Sequence, residues 1–195
     1  MISPFKGKFK LTSPRDYRTL FGKNEFHKGI DLVGLEDKNV FAVADGTVYV
    51  LYEKDGFGNY VRQHLDDGRR IYYAHLESTN LKTGDKIKCG DKIGVMGATG
   101  KVTGAHLHLE LRPRGTVSQS LDICEFTDIP NRVGTYTSTQ EKYSDDALID
   151  NLMKNGIIDF ENRASWELML SGKSPLILKY VRTLFERCCQ KMKGT

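Results

Sequence analysis

The sequence predicts a mainly β fold, an antiparallel β-sandwich or open barrel, followed by a small C-terminal module of three helices. Three observations carry this. From residue 39 to 112, short runs rich in Val, Ile and Tyr are broken by glycine-containing turns about every 8 to 12 residues. The stretch 134–141 is polar and built of small residues, as a linker is. Beyond Ser144 the apolar spacing becomes helical. The expected organisation is therefore a β domain over 1–130, a linker over 131–143 and a helical domain over 144–195.

Taken in order, residues 1 to 25 read as a short strand around Phe9 and Leu11, then an irregular polar loop through Ser13-Pro14 and Tyr17-Arg18. His27-Lys28-Gly29-Ile30-Asp31 follows, with glycine and β-branched neighbours favouring a loop that enters a strand. Val40–Val43 and Thr47–Tyr52 flank the turn Ala44-Asp45-Gly46. Asn59–Leu65 and Arg70–Leu76 flank Asp66-Asp67-Gly68, a good hairpin signal. Two glycine-punctuated units follow, Lys82-Thr83-Gly84-Asp85-Lys86-Ile87 and Lys88-Cys89-Gly90-Asp91-Lys92-Ile93. The last strand carries His106-Leu107-His108-Leu109-Glu110-Leu111, and Ser120–Phe126 closes the β domain. In the tail, Ser144, Ser165 and Ser174-Pro175 are helix-start signals for stripes that include Leu148, Leu152, Trp166, Val181 and Leu184.

Composition sets the bounds. The chain has 195 residues, 39% hydrophobic and 28% charged, with no apolar run approaching the ~18 residues of a membrane span. Membrane insertion is not expected. A net charge of +4 suits an anionic surface such as a bacterial wall polymer, but no basic stripe with interleaved aromatics argues for nucleic acid. The four cysteines have no regular spacing and read as reduced thiols. The N-terminus lacks the charged-then-apolar order of a secretory leader, so the protein is expected to be made without a signal peptide.

The chemistry lies in the histidines. Four of the five, His27, His75, His106 and His108, fall in strand-like apolar contexts beside small residues. On a strand, His106 and His108 share one face. His27 and Asp31, four apart, share a face on a strand or a helix alike. Catalytic zinc sites use three ligands from His, Asp or Glu and keep one position for water. His27, Asp31 and one of His106 or His108 make such a set. The two histidines left over are placed to serve as general base and as donor to an oxyanion. Tyr17, in an upstream loop able to fold over the site, is a further candidate for the oxyanion role. Glu110 is either a partner orienting a ligand or an exposed strand carboxylate.

His27-x-x-x-Asp31, Tyr73-Ala74-His75-Leu76 and His106-Leu107-His108 resemble the three signatures of the LytM/lysostaphin-type zinc endopeptidases. Ala44-Asp45-Gly46-Thr47-Val48, Gly58-Asn59-Tyr60-Val61 and Gly84-Asp85-Lys86-Ile87 are similar to the family's supporting text, and the likeness covers residues 1 to about 126. Carried over, it implies a LytM-like catalytic domain in which His27, Asp31 and His108 bind Zn2+ and His75 and His106 are the free catalytic pair. It implies hydrolysis of peptide bonds in peptidoglycan stems or crossbridges, at the bacterial cell wall. One departure stands out: the family's Ser-x-Phe-Gly-Tyr-Arg is here Ser13-Pro14-Arg15-Asp16-Tyr17-Arg18, without the glycine. The setting expected is a phage lysin, released from the host cytoplasm or carried on a virion, with the C-terminal helices docking to a virion or a wall polymer. The alternatives are a non-catalytic wall-binding or regulatory module, or a virion structural component, on the same fold.

Overall fold

A computed structural model describes residues 2–138, apart from Phe21 and Val117. These belong to one compact unit, Met1–Gln140. The elements are β1 (Lys8–Ser13), β2 (Tyr17–Leu20), β3 (Lys23–Phe26), β4 (Ile30–Gly34), β5 (Asn39–Phe41) and β6 (Gly46–Glu53). They continue with β7 (Gly58–His64), β8 (Arg70–Ser78), β9 (Lys86–Ile87), β10 (Lys92–Met96), β11 (Leu107–Arg112), α1 (Ile123–Thr127) and β12 (Gly134–Thr137). The mainly β, antiparallel expectation holds. The three helices expected over 144–195 lie outside the described residues.

Ten strands join one sheet in the order β12-β1-β4-β11-β8-β7-β6-β9, with β10 leaving it at β8 to pair β5. The connection is local where hairpins are local and long where the site is built: β4 and β11 are neighbours although Asp31 and His108 are 77 residues apart. Alternation explains the layering. Leu107, Leu109 and Leu111 of β11 and Ile30 and Leu32 of β4 face a core shared with Phe9, Val61, Tyr73 and Ile93. The residues between them, Asp31, His108 and Glu110, are buried on the opposite face. Strands covered on both faces are usually apolar throughout, so three buried polar side chains there mark that face as the functional one. Among the described residues no helix is long and apolar enough to cross a membrane.

Two expectations are corrected. The loop expected before residue 25 contains the hairpin β2–β3, a sheet of its own. Strand alternation in β2 turns Arg18 inward and Tyr17 out. The linker expected from 131 is, over Gly134–Thr137, a strand paired with β1, where Tyr136 sets its ring against Phe9 at 5.9 Å. Its exposed threonines gave it a linker-like composition, as edge strands often do. The stretch expected to close the β domain does so with the short helix α1, capped by the Asp122 carboxylate accepting from Cys124 N at 2.8 Å.

One buried polar network anchors β7 and β8 to the loop after β5. The Tyr73 hydroxyl donates to Gln63 Oε1 at 2.8 Å and accepts from Val43 N at 3.0 Å, while Gln63 Nε2 donates to Ala44 O at 2.6 Å. Removing the hydroxyl leaves a donor and an acceptor buried without partners. Tyr73→Phe is therefore expected to lower stability by about 2–3 kcal/mol, read as a shift in the urea midpoint at unchanged slope.

Candidate metal and catalytic centre

Each of the four site histidines has one nitrogen tied to an oxygen and the other free to work. His27 enters from the loop before β4, and its Nδ1 lies 2.8 Å from the Pro14 carbonyl. A carbonyl only accepts, so Nδ1 carries the hydrogen and Nε2 offers a lone pair. His108, on β11, sets Nε2 3.3 Å from Glu110 Oε2 and turns Nδ1 inward. His75 Nδ1 donates to Thr99 O at 3.0 Å, and His106 Nδ1 to Gly104 O at 2.8 Å. Both present Nε2.

The inward atoms of His27, His108 and Asp31 form a near-equilateral triangle. His27 Nε2 is 3.0 Å from His108 Nδ1 and 3.1 Å from Asp31 Oδ1, and His108 Nδ1 is 2.9 Å from Asp31 Oδ1. Ligands on a tetrahedral zinc ion at about 2.0 Å sit about 3.3 Å apart, so the triangle fits such an ion with little adjustment. Three lone-pair-bearing atoms at this separation repel one another unless a positive charge joins them. The same demand appears in the titration. Burial opposes charge on His108, yet Asp31 and Glu110 overcome it and lift its pKa to about 9. Asp31, against the same burial, is held well below the usual carboxylate range by His108 and His27. These three are the described residues grouped so as to hold a metal ion.

Two further side chains complete the centre. Arg18 reaches in from β2 and donates through Nη1 to Asp31 Oδ2 at 2.8 Å, leaving Oδ1 to the histidines. Glu110 is buried rather than exposed; burial works against its charge, but hydrogen bonds from His108 and Arg112 hold its pKa at about 2. Arg112 grips it through Nε at 2.7 Å and Nη2 at 3.1 Å. Glu110 thus fixes the orientation of His108 from behind, the usual role of a carboxylate next to a ligating imidazole.

His75 owes its position to a backbone irregularity. In the β7–β8 register Asn59 faces Leu76 and Val61 faces Tyr73, so Ala74 and His75 together oppose Tyr60. This bulge puts His75 at φ 63, in the left-handed region. Phe57 O and Gly97 N hold its backbone there. The result is a ring 4.8 Å from that of His106. Burial, with the nearby His106 and His108 imidazoles, lowers the His75 pKa to about 4, so the ring is neutral and proton-accepting at neutral pH.

Five of the six residues expected at the site converge, and Tyr17 does not. It is 79% exposed and rests edge-on against Phe26, 5.2 Å between centroids. His106 and His108 differ for a visible reason: β11 begins at Leu107, and His106 sits before it at an isolated bridge to Gly97. Sequence reasoning passed over Arg18, which stands beside Tyr17 in the segment already in view, and Phe57, whose ring stacks on His108 at 5.6 Å. No periodic signal announces Arg18, because β2 is short and lacks apolar alternation.

Gly29 explains the glycine between the first two ligands. A Cβ there would meet the Leu109 carbonyl oxygen and lie 2.8 Å from His108 Cε1. β11 is paired on both sides and cannot yield. Gly29→Ala is expected to cost about 1–3 kcal/mol and to weaken metal binding in parallel, measured by thermal unfolding and by metal analysis.

The model of peptidase family M23 matches residues 25–120. Over 103 residues the chain is 35% identical to the peptidoglycan DD-endopeptidase ShyC of Vibrio cholerae, covering 53% of this chain and 24% of that protein. It is 30% identical over 145 residues to the DD-carboxypeptidase/endopeptidase Mpg of Neisseria meningitidis, covering 73% and 34%. The chain thus spans about a quarter to a third of the length of these curated relatives. Among solved structures, a catalytic domain of the prophage-encoded M23 protein EnpA from Enterococcus faecalis superposes with TM-score 0.54 at 31% identity, covering 62% of this chain and 94% of that one. The catalytic domain of lysostaphin from Staphylococcus simulans gives 0.55 at 29%, covering 62% and 92%.

Proposed function

This chain belongs to peptidase family M23, and from that premise we propose that it is a zinc-dependent endopeptidase that hydrolyses peptide bonds in the stems or crossbridges of bacterial peptidoglycan. The observation that carries the proposal is the set of four histidines, each locked by an oxygen on one nitrogen and turned toward Asp31 or its neighbours by the other. His27, Asp31 and His108 hold the metal. Zinc bound there supplies a Lewis acid for the scissile carbonyl and lowers the pKa of its water.

The remaining steps belong to the chain's own groups. His75, from the bulge in β8, and His106, from just before β11, each present Nε2. Between them they accept the proton of the attacking water and donate to the developing oxyanion. Arg18 orients Asp31 through Oδ2, and Glu110 orients His108 through Nε2. A phage-lysin setting is part of the proposal, and the likeness to the prophage-encoded EnpA domain supports it.

Mass spectrometry of fragments released from purified walls tests the reading. The expected result is peptide-bond cleavage that stops with a chelator and returns with added zinc. Walls that stay intact, or fragments that appear equally with the chelator, would overturn it.

A further inference from the structure

On the same face as the catalytic centre, the sheet carries a recess whose walls are Phe57, Tyr60 and Tyr72, with Tyr52 at the rim and two guanidinium groups, Arg62 and Arg112. Its volume is about 570 Å³, within the range of small-molecule and peptide pockets. Only one ring separates it from the metal ligands: Phe57 stacks on His108 on one side and lies 5.7 Å from Tyr72 and 5.3 Å from Tyr60 on the other. Neighbouring strands align its charges. Glu110, Tyr72 and Arg62 stand in one row across β11, β8 and β7, and Arg112, Arg70 and His64 stand in the next.

The electrostatics of those rows are unbalanced. Arg70 and Arg112 are direct cross-strand partners, a like-charge pairing that ordinarily destabilises a sheet. Glu110 answers Arg112 alone. Arg62 and Arg70 have no ion pair among the described residues, and Arg62 Nε is shut off from solvent with no hydrogen-bond partner there. The Arg62 guanidinium lies over the Tyr49 ring at 5.2 Å and that of Arg112 over the Tyr72 ring at 4.4 Å, so both planes are held by aromatic faces. Glu53, the carboxylate in the recess wall, is turned onto its own turn, where it accepts from Phe57 N at 3.3 Å. The Arg62 guanidinium, without an ion pair among the described residues and flanked by aromatic rings, suits a planar carboxylate.

We infer that this recess is a recognition site for a carboxylate on the wall peptide, on the flank of the bond to be cut, with Arg62 as the residue that reads it. The inference rests on the endopeptidase reading for the identity of the peptide, but not for the presence of the site.

The test uses the whole chain and two synthetic stem peptides that differ only in one side-chain carboxylate, free in the first and amidated in the second. Binding is followed by isothermal titration and hydrolysis by chromatography. The free acid is expected to bind at least about tenfold more tightly, as for one charge-assisted hydrogen-bonded pair. Arg62→Gln should bring the ratio within about twofold, whereas Arg62→Lys, which keeps the charge and the packed stem, should retain part of it. Equal binding of the two peptides by the unaltered protein, or an undiminished ratio in Arg62→Gln, overturns the inference. So does inorganic phosphate displacing the acid peptide at equal concentration, since that makes the recess a general anion site. The unaltered protein decides the matter even if both variants fail to fold. Hydrolysis of both peptides without preference sinks the recognition site and spares the endopeptidase. Selective binding with no hydrolysis does the reverse.

Discussion

His108→Ala is expected to abolish metal binding and wall hydrolysis together. The alanine removes one corner of the ligand triangle and the imidazole that Glu110 holds from behind. Two ligands do not make a catalytic zinc site, so zinc content should fall from about one per chain to background. Glu110 stays paired with Arg112, and the fold should survive with a lowered melting temperature. The matched control is His106→Ala. His106 Nε2 lies 3.6 Å from Asp31 Oδ1, outside the tight triangle, and its other nitrogen is tied to a loop carbonyl. That variant should keep its zinc and lose about 100- to 10,000-fold in rate, the usual worth of a positioned acid–base group. Equal loss of metal in the two variants would reverse the assigned roles.

The second large effect is at His75, where function and stability should separate. The residue sits at φ 63, a conformation that costs a side-chain-bearing residue about 1 kcal/mol or more. Asparagine tolerates it at least as well as histidine. His75→Asn should therefore unfold within a few degrees of the unaltered protein while hydrolysis drops by about 100-fold or more. Differential scanning calorimetry and a peptide-cleavage assay on one preparation check both halves. A variant that loses activity only because it unfolds would show that the bulge, rather than the imidazole, is what the position needs.

Much of the centre was legible because its residues obey simple strand periodicities. His27 and Asp31 are an even number apart, as are His106 and His108, so each pair shares a face wherever strands form. That same rule made His106 and His108 equivalent, and only the likeness to a known family separated them. The structure supplies the physical difference in the start of β11 at Leu107. Arg18 was hidden because the hairpin β2–β3 is short, polar and without apolar alternation, leaving no periodic signal to follow. Phe57 was hidden because it belongs to the turn between β6 and β7, where Gly56 and Gly58 announce a reversal and say nothing of what the ring between them covers. Glu110 stood open between two readings, since a strand residue after His108 declares its face but not what lies over it.

The pairing of β4 with β11 also has a mechanical side. It brings together two segments 77 residues apart, and the ligand triangle straddles the junction. A metal ion held by both strands would act as a cross-link closing a loop of that length, comparable with a disulfide that withdraws about 4 kcal/mol of chain entropy from the unfolded ensemble. The strands on either side of the clasp could not peel apart independently while it held. Stripping the metal should then appear first as faster unfolding, with the far-ultraviolet spectrum of the native sheet nearly unchanged. Persistence of the folded chain would then be set by how slowly that clasp opens.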